Sequence, residues 1–330
     1  MSEIVVLSPG LLTTVQDLGR EGFGPLGVSP SGAADPVSLR IGNRLVGNAE
    51  SAPALEMTLL GGTFQFPQGA KVALTGSDFG VTLEGAPVQL WSSFEVRPGQ
   101  ILRFGPTRSG ARCYLCMRGG IDVKPFLGSA STHLLSGLGG HEGRALRKGD
   151  VLKLGRTGIP ACPLPSEAAG KVPCLRRLAT KARERLAPRK VLRVTPGPQS
   201  DWFPEASQQI FYGSSYRVAE ESNRMGLRLE GPAIPEGAHG EMVSEGVSLG
   251  AVQIAAGGHP IILFVDQQTT GGYAKIANVI SADLHSLGQL RPRDEIRFER
   301  VNWESARRIL IEQEGLLASE GLIVDDLSVA

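Results

Sequence analysis

The sequence predicts a mainly β protein of two domains with a few short helices. Three observations carry that reading. The 330-residue chain is longer than a typical single domain. Glycine occurs 43 times, roughly twice its usual frequency, while the hydrophobic share is ordinary. Strand-length segments separated by turns fill most of the chain, and stretches with helical spacing are few.

Residues 4–7 (IVVL) read as a first strand, followed by a Gly-, Pro- and Ser-rich loop from Pro9 to Ser31. Val37, Ile41 and Leu45 mark a short amphipathic helix over 35–47. Asp35 is its expected N-cap, Pro36 takes the first helical position and Gly47 suits its end. Strands then alternate with turns through ALEMTLL, GTFQF, KVALTG, VTLEG, ILRFG, RCYLCMRGG and DVLKLG, completing a domain over 1–155. Residues 156–190 hold five prolines and nine Lys or Arg against two Glu, and read as a basic linker with a short helix over 175–187. Strand patterns resume over 191–302, the second domain. Residues 303–318 predict a helix, and a loose tail runs to 330. RPGQILRF at 97–104 aligns with RPRDEIRF at 291–298, and VVLSPG near residue 5 resembles VLRVTPG near 191. These repeated phrases suggest two related β-barrels from a diverged duplication.

The charge balance, 34 basic against 33 acidic side chains, predicts no nucleic-acid footprint. The N-terminus has no basic leader, and no apolar run approaches the ~18 residues of a membrane span. Four Cys in a chain this long do not make a secreted disulfide framework. The expected compartment is the cytoplasm, with no membrane partner.

Generic motifs name no active site. Gly246-Val-Ser248-Leu-Gly250 fits a nucleophile pattern, but strand-like segments follow it where a helix is required. Cys113 and Cys116 sit in a buried-strand pattern, Cys162 and Cys174 lie in the linker, and no metal site is expected. The segment 137–143 (GLGGHEG) lacks a dinucleotide-binding setting and reads as a flexible loop. The sequence holds no Walker-type phosphate loop and no Met-Lys-Met biotin attachment site.

Longer phrases are more specific. The N-terminal half contains TTVQDLGREGFGPLGVSPSGAADPVSLRIGNRLVGN from Thr13 to Asn48, then ALEMTLLGG, YLCMRGGIDVKPFLGSAST and LRKGD. The C-terminal half contains ESNRMGLRLEGP, SEGVSLGAVQI and GHPIILFVDQQTTGGYAKIANVISADL, and ends on QLRPRDEIRF. In this order, from about residue 8 to residue 300, they resemble allophanate hydrolase subunit 2. That family includes the C subunit of 5-oxoprolinase, the Kip-inhibitor antagonist and the carboxyltransferase domain of urea carboxylase.

The resemblance implies two tandem cyclophilin-like β-barrels and a free-standing subunit, inactive alone, of an ATP-dependent 5-oxoprolinase. The implied partners are an allophanate hydrolase subunit 1-type protein (the B subunit of 5-oxoprolinase) and the A subunit of that enzyme. ATP would serve the complex, with no site assignable to this chain and no covalently attached cofactor. Two alternatives stay open: a biotin-dependent carboxyltransferase component that acts on urea or a related amide, and a regulatory protein that antagonises a kinase inhibitor.

A planar amide substrate needs an acceptor for its N–H, donors for its oxygen and an anion holder for any carboxylate. Within the resembling phrases the expected catalytic residues are Asn43, Asp266 and Asp283. Gln16, Asp17, Arg20, Arg40 and Arg224 supply further polar groups for substrate. Thr269, Thr270, Gly271, Gly272 and Tyr273 offer backbone approach and a stacking ring. Arg20 and Arg224 equally suit structural pairs with acidic neighbours, and Gly271 and Gly272 a plain turn. A basic residue is expected after Asp266, but this chain has Gln267.

Overall fold

The structure, a computed structural model, describes residues 2–155, 175–237 and 242–325. Most of the expected linker, with Cys162 and Cys174, lies outside these residues, as do His239 and the end of the tail. The chain divides into two compact units. The described residues within 1–20, 35–186 and 317–330 form the first, and those within 21–34 and 187–316 the second. The segment 21–34 joins the second unit through bonds that span nearly two hundred residues or more. Arg224 donates to the Gly32 carbonyl at 2.7 Å, and the Ser29 hydroxyl donates to the Gln267 carbonyl.

In the first unit the strands run β1 (Glu3–Ser8), β2 (Leu12–Gln16), β3 (Ala54–Thr58), β4 (Thr63–Gln65), β5 (Ala70–Gly76) and β6 (Thr82–Leu83). They continue with β7 (Ala86–Pro87), β8 (Ser92–Val96), β9 (Ile101–Arg103), β10 (Arg112–Met117), β11 (Val151–Lys153) and β12 (Arg176–Leu178). One sheet is ordered β11-β1-β4-β9-β6-β7; the other is ordered β2-β3-β10-β5-β8-β12 and ends on the strand Ile323–Asp325. Both sheets bury side chains in one core, Ile4, Phe64 and Leu102 from the first meeting Leu55, Leu74 and Leu115 from the second. Each such side chain contributes roughly 1.5–3 kcal/mol. The expected loop after Pro9 contains β2, whose residues are buried on both faces, so its sequence shows no alternation.

Helix α1 (Pro36–Val46) forms as its caps predict. The Asp35 carboxylate accepts from the Ser38 N–H at 2.9 Å, Pro36 opens the first turn, and Gly47 closes it at φ 82°. Its buried side rests on the second sheet. A Cβ on Gly42 would stand 2.6 Å from Cys116 Sγ and 2.9 Å from Thr75 Oγ1, so only glycine lets the helix lie this close. The helix expected over 175–187 is shorter than its sequence suggests. That segment begins as strand β12 and turns helical only over α2 (Thr180–Arg185).

The segment 137–143 is a close-packed loop rather than a loose one. A Cβ on Gly143 would meet the Gly137 carbonyl oxygen at 2.0 Å. The loop leads to Arg144, which grips both oxygens of Asp150 at 2.7 and 3.0 Å, while the Arg147 N–H adds a third bond at 2.7 Å. The Arg144 guanidinium above all holds the Asp150 carboxyl down at about 2, against an ordinary 3.8. The folded value lies below the unfolded one. The stabilisation is therefore complete above the ordinary value and lost as pH falls through the folded one. Asp150→Asn is expected to cost about 1–2 kcal/mol near neutrality, after solvent screening is allowed for. In urea melts that deficit against the wild type should close between pH ~4 and ~2; a deficit constant with pH would contradict the ion-pair account.

The second unit holds β13 (Val191–Pro196), β14 (Tyr216–Val218), β15 (Gly226–Glu230), β16 (Glu245–Gly246) and β17 (Ala251–Ile254). It also holds β18 (Pro260–Leu263), β19 (Thr270–Gly271), β20 (Lys275–Val279) and β21 (Glu295–Arg300). Seven of them close a barrel in the order β13-β20-β17-β18-β15-β14-β21, sealed by parallel pairing of β21 with β13. Leu192, Val252, Ile262, Ile276 and Phe298 fill it. Helix α3 (Glu205–Gly213) seats Phe211 on Phe298, ring centroids 4.4 Å apart. β16 and β19 pair only with each other, as a short two-stranded ribbon. Helices α4 (Leu284–Leu287) and α5 (Trp303–Ala318) follow, the latter where the sequence predicts it.

The repeated phrases make similar local structure in each unit. Residues 97–104 form a turn and β9, and 291–298 form a turn and the start of β21. Their strand partners differ: β9 lies between β4 and β6, whereas β21 lies between β13 and β14.

Candidate functional site

In the first unit the expected polar groups are engaged in holding the chain together. Asn43 is fully buried, its amide donating to the carbonyls of Glu50 at 3.1 Å and Ala52 at 2.8 Å. Its oxygen accepts from Asn48 at 3.0 Å, so it fixes the chain after α1 and keeps no free N–H for a substrate. Arg40 pairs with Glu50 at 2.6 Å. Asp17 accepts from Ser129 Oγ at 2.6 Å, Ser131 Oγ at 2.5 Å, and the N–H groups of Ala130 and Gly19. Gln16 donates to the Thr132 carbonyl at 3.1 Å, and Arg20 to the carbonyls of Phe126 and Ser131. Gln16, Asp17 and Arg20 together clamp the segment 126–132.

In the second unit two of the expected catalytic carboxylates lie in buried forks. Arg224 Nε meets Asp266 Oδ2 at 2.8 Å, with both residues buried. Asp283 is 0 % exposed; its Oδ2 accepts from the Arg193 N–H at 2.9 Å and Nε at 3.0 Å, and its Oδ1 from the other guanidinium nitrogen. This geometry makes Asp283 a tie between β13 and the turn before α4. Burial and the bidentate fork leave no side open to a substrate N–H.

A different cluster lies on the outer face of the barrel. Val252 and Ile254 point into the core, so the alternation of β17 turns Gln253 outward. A register shift pairs Gln253 with Lys275 of β20, bringing the two side chains to one face as cross-strand neighbours. Lys275 is only 3 % exposed, yet its Nζ reaches Glu245 Oε1 at 2.8 Å and the Tyr273 carbonyl at 3.2 Å. Gln199 donates to the same Glu245 oxygen at 2.9 Å and accepts from the Lys275 N–H at 3.2 Å. Those two donors, Lys275 first, hold the Glu245 carboxyl below the usual carboxylate range.

The Thr269–Tyr273 stretch runs over this face. Thr270 and Gly271 form β19, paired with Gly246 and Glu245 of β16. Tyr273 is 47 % exposed and lines a cleft of about 400 Å³ with Ile234, Pro235, Ile254 and the turn at 255–258. Gln253 Nε2, which lies against Gly271 of the ribbon, and Gln267 Oε1 are buried without a hydrogen-bond partner among the described residues.

Ser248 donates to Asn278 Oδ1 at 2.8 Å and is followed by a strand. Cys113 faces the sheet core and Cys116 faces α1, because a spacing of three reverses the face of a strand. Burial pushes both thiols up and makes them inert. Among the described residues no cluster of three His, Cys, Asp or Glu side chains is placed to hold a metal ion.

A family model of the carboxyltransferase domain, subdomain A and B, matches residues 26–300. The chain belongs to that family. Among its carboxyltransferase-domain relatives, the C subunit of Haemophilus influenzae 5-oxoprolinase is 37% identical over 318 residues, covering 95% of this chain and 96% of that one. Its counterpart of the same name from Escherichia coli K12 is 38% identical over 309 residues, 94% of each chain. The crystal structure of the K. lactis urea amidolyase matches with a TM-score of 0.85 at 33% identity, covering 98% of this chain and 21% of that one. The chain thus spans nearly all of the two 5-oxoprolinase relatives and about a fifth of the solved urea amidolyase.

In this carboxyltransferase-domain chain, sequence reasoning passed over Gln199, Glu245, Gln253 and Lys275. Two of them had a signal. Lys275 follows the Gly-Gly-Tyr phrase by two residues, and supplies a cation that position 267 lacks. Gln199 follows the Thr-Pro-Gly phrase at the end of β13, the counterpart of Ser-Pro-Gly at 8–10, where Gly197 allows the backbone to lie against Lys275: a Cβ there would stand 2.2 Å from its carbonyl oxygen.

Proposed function

We propose that this chain is the C subunit of an ATP-dependent 5-oxoprolinase that opens 5-oxo-L-proline to L-glutamate in the cytoplasm. The observation that carries the reading is the match along nearly the whole length of two proteins named as the C subunit of 5-oxoprolinase. The chemistry of the barrel face supports it. 5-Oxoproline is a planar lactam with a carboxylate. Lys275, buried against the exposed Glu245, is a ready anion holder whose resident carboxylate a substrate carboxylate can replace. The Tyr273 ring beside the cleft offers a stacking surface.

The partners in this reading are a B subunit of the allophanate hydrolase subunit 1 type and the A subunit of the same enzyme. ATP is used by the assembly, and no residue of this chain is assigned to it. A second reading, a biotin-dependent carboxyltransferase component that acts on urea, draws on the likeness to the urea amidolyase structure. Urea has no carboxylate and gives Lys275 no such task.

The test is co-expression with neighbouring subunits, followed by assays with ATP and 5-oxoproline and, separately, with urea, bicarbonate and a biotin carrier. Glutamate is expected from the assembly and none from this chain alone. Carboxylation of urea without any glutamate formation would replace the first reading by the second.

A further inference from the structure

The ion pair on the barrel face is lopsided: the Lys275 side chain is 3 % exposed and that of Glu245 43 %. A buried ammonium must keep an anion, whereas an exposed carboxylate is readily released to water. The segment that supplies this anion has a slender hold of its own. The β16–β19 ribbon has two residue pairs and joins no barrel strand. Two-stranded ribbons are marginal in water. Glu245 reaches from the ribbon to the barrel through one oxygen, Oε1, which accepts from Lys275 Nζ at 2.8 Å and Gln199 Nε2 at 2.9 Å. A third donor stands beside them. Gln253 is the cross-strand partner of Lys275, and its Nε2 lies against Gly271, the strand partner of Glu245. That nitrogen is buried without a hydrogen-bond partner among the described residues. An ammonium and two amide NH2 groups suit both oxygens of a carboxylate, and Glu245 offers them one.

We infer that Glu245 is a latch that sets the specificity of this anion site. Its carboxylate fills the site in the free chain, and the ribbon lifts when a ligand carboxylate takes Lys275. A tethered group competes at a high effective concentration, roughly millimolar or more for a short link, so a simple carboxylate such as acetate loses to it. A ligand that also rests its body in the cleft beside Tyr273 has a second foothold and displaces it. The identity of the admitted ligand rests on the function proposed above; the latch rests on the ion pair and the ribbon.

The test compares the full chain with its Glu245→Gln variant in sodium acetate and, at equal ionic strength, in sodium chloride. Glu245→Gln leaves Lys275 buried without a charged partner and should lower the melting temperature. Acetate should restore it, binding the variant about tenfold more tightly than the wild type, and chloride should not. Adding Lys275→Met to the variant should abolish the acetate response, and adding Gln253→Leu should weaken acetate binding by about tenfold. In the reconstituted assembly Glu245→Gln should lower KM for 5-oxoproline by roughly threefold or more and keep kcat, because the internal competitor is gone. An acetate response no stronger than that of the wild type, matched by chloride, or indifferent to Lys275→Met overturns the latch. So does a raised KM or a tenfold fall in kcat, either of which makes Glu245 part of the substrate machinery. An assembly that makes no glutamate overturns the proposed function and leaves the acetate result standing. An assembly active on 5-oxoproline, with no acetate binding to the variant, does the reverse.

Discussion

Replacing Asp283 by Asn is expected to destabilise the C-terminal unit by about 3–5 kcal/mol, the cost of breaking a buried ion pair from one side. The carboxylate is wholly buried and receives three hydrogen bonds from Arg193, one of them from its backbone. An asparagine keeps the shape but removes the charge, and its NH2 group turns a donor toward a guanidinium or backbone N–H. The guanidinium, itself mostly buried, is then left without its counter-charge. Turnover per folded molecule in the reconstituted assembly should stay at the wild-type level. The double variant Asp283→Leu with Arg193→Met should recover part of the loss, since an apolar pair avoids the desolvation of two charges. Recovery stays incomplete because the Arg193 N–H loses its acceptor. Urea melts that show Asp283→Asn within about 1 kcal/mol of wild type, together with a large fall in turnover, would return Asp283 to the chemistry.

The parts of the fold that local chemistry dictates were legible in the sequence. Helix α1 announces itself through Asp35, Pro36 and Gly47, and α5 through its length and spacing. Strands such as β5 and β10 follow from runs of apolar residues between turns. Strand β2 was hidden because Leu12–Gln16 is buried on both faces and carries polar residues there. Helix α3 was missed because a short Gln- and aromatic-containing segment lacks a clear cap; its N-terminus has no side-chain hydrogen bond. Unit membership was hidden for a different reason. Residues 21–34 are held by Arg224 and Gln267, about two hundred positions away, and no local pattern records such a bond.

The candidate site was legible as a stretch of chain rather than as a set of roles. The phrase from Asp266 to Tyr273 does run across the polar face of the barrel. Its first residue is bound to Arg224, 42 positions earlier, and Asp283 is bound to Arg193, 90 positions earlier. Residue type marked both as important; only the fold shows that each is paired. Lys275 was passed over because a lysine in a strand pattern reads as a solvated edge charge, whereas the register shift in β17 turns it onto a covered face beside Gln253.

The substitution that bears most on function is Lys275→Met. If Lys275 takes the substrate carboxylate, its loss removes a charge-assisted hydrogen bond worth about 1.5–3 kcal/mol, or roughly 10- to 100-fold in kcat/KM for 5-oxoproline. The loss should fall chiefly on KM, because the carboxylate takes no part in the bond changes at the lactam and is held alike before and during the reaction. Folding should be little affected: Glu245, the residue left behind, is 43 % exposed and stays solvated. Lys275→Arg keeps the charge and should restore part of the affinity. The decisive measurement is the steady-state kinetics of the reconstituted assembly carrying Lys275→Met. A KM for 5-oxoproline raised about tenfold or more, with an unchanged melting temperature, is the predicted result. A KM and kcat both within about twofold of wild type would contradict a lactam site on this barrel.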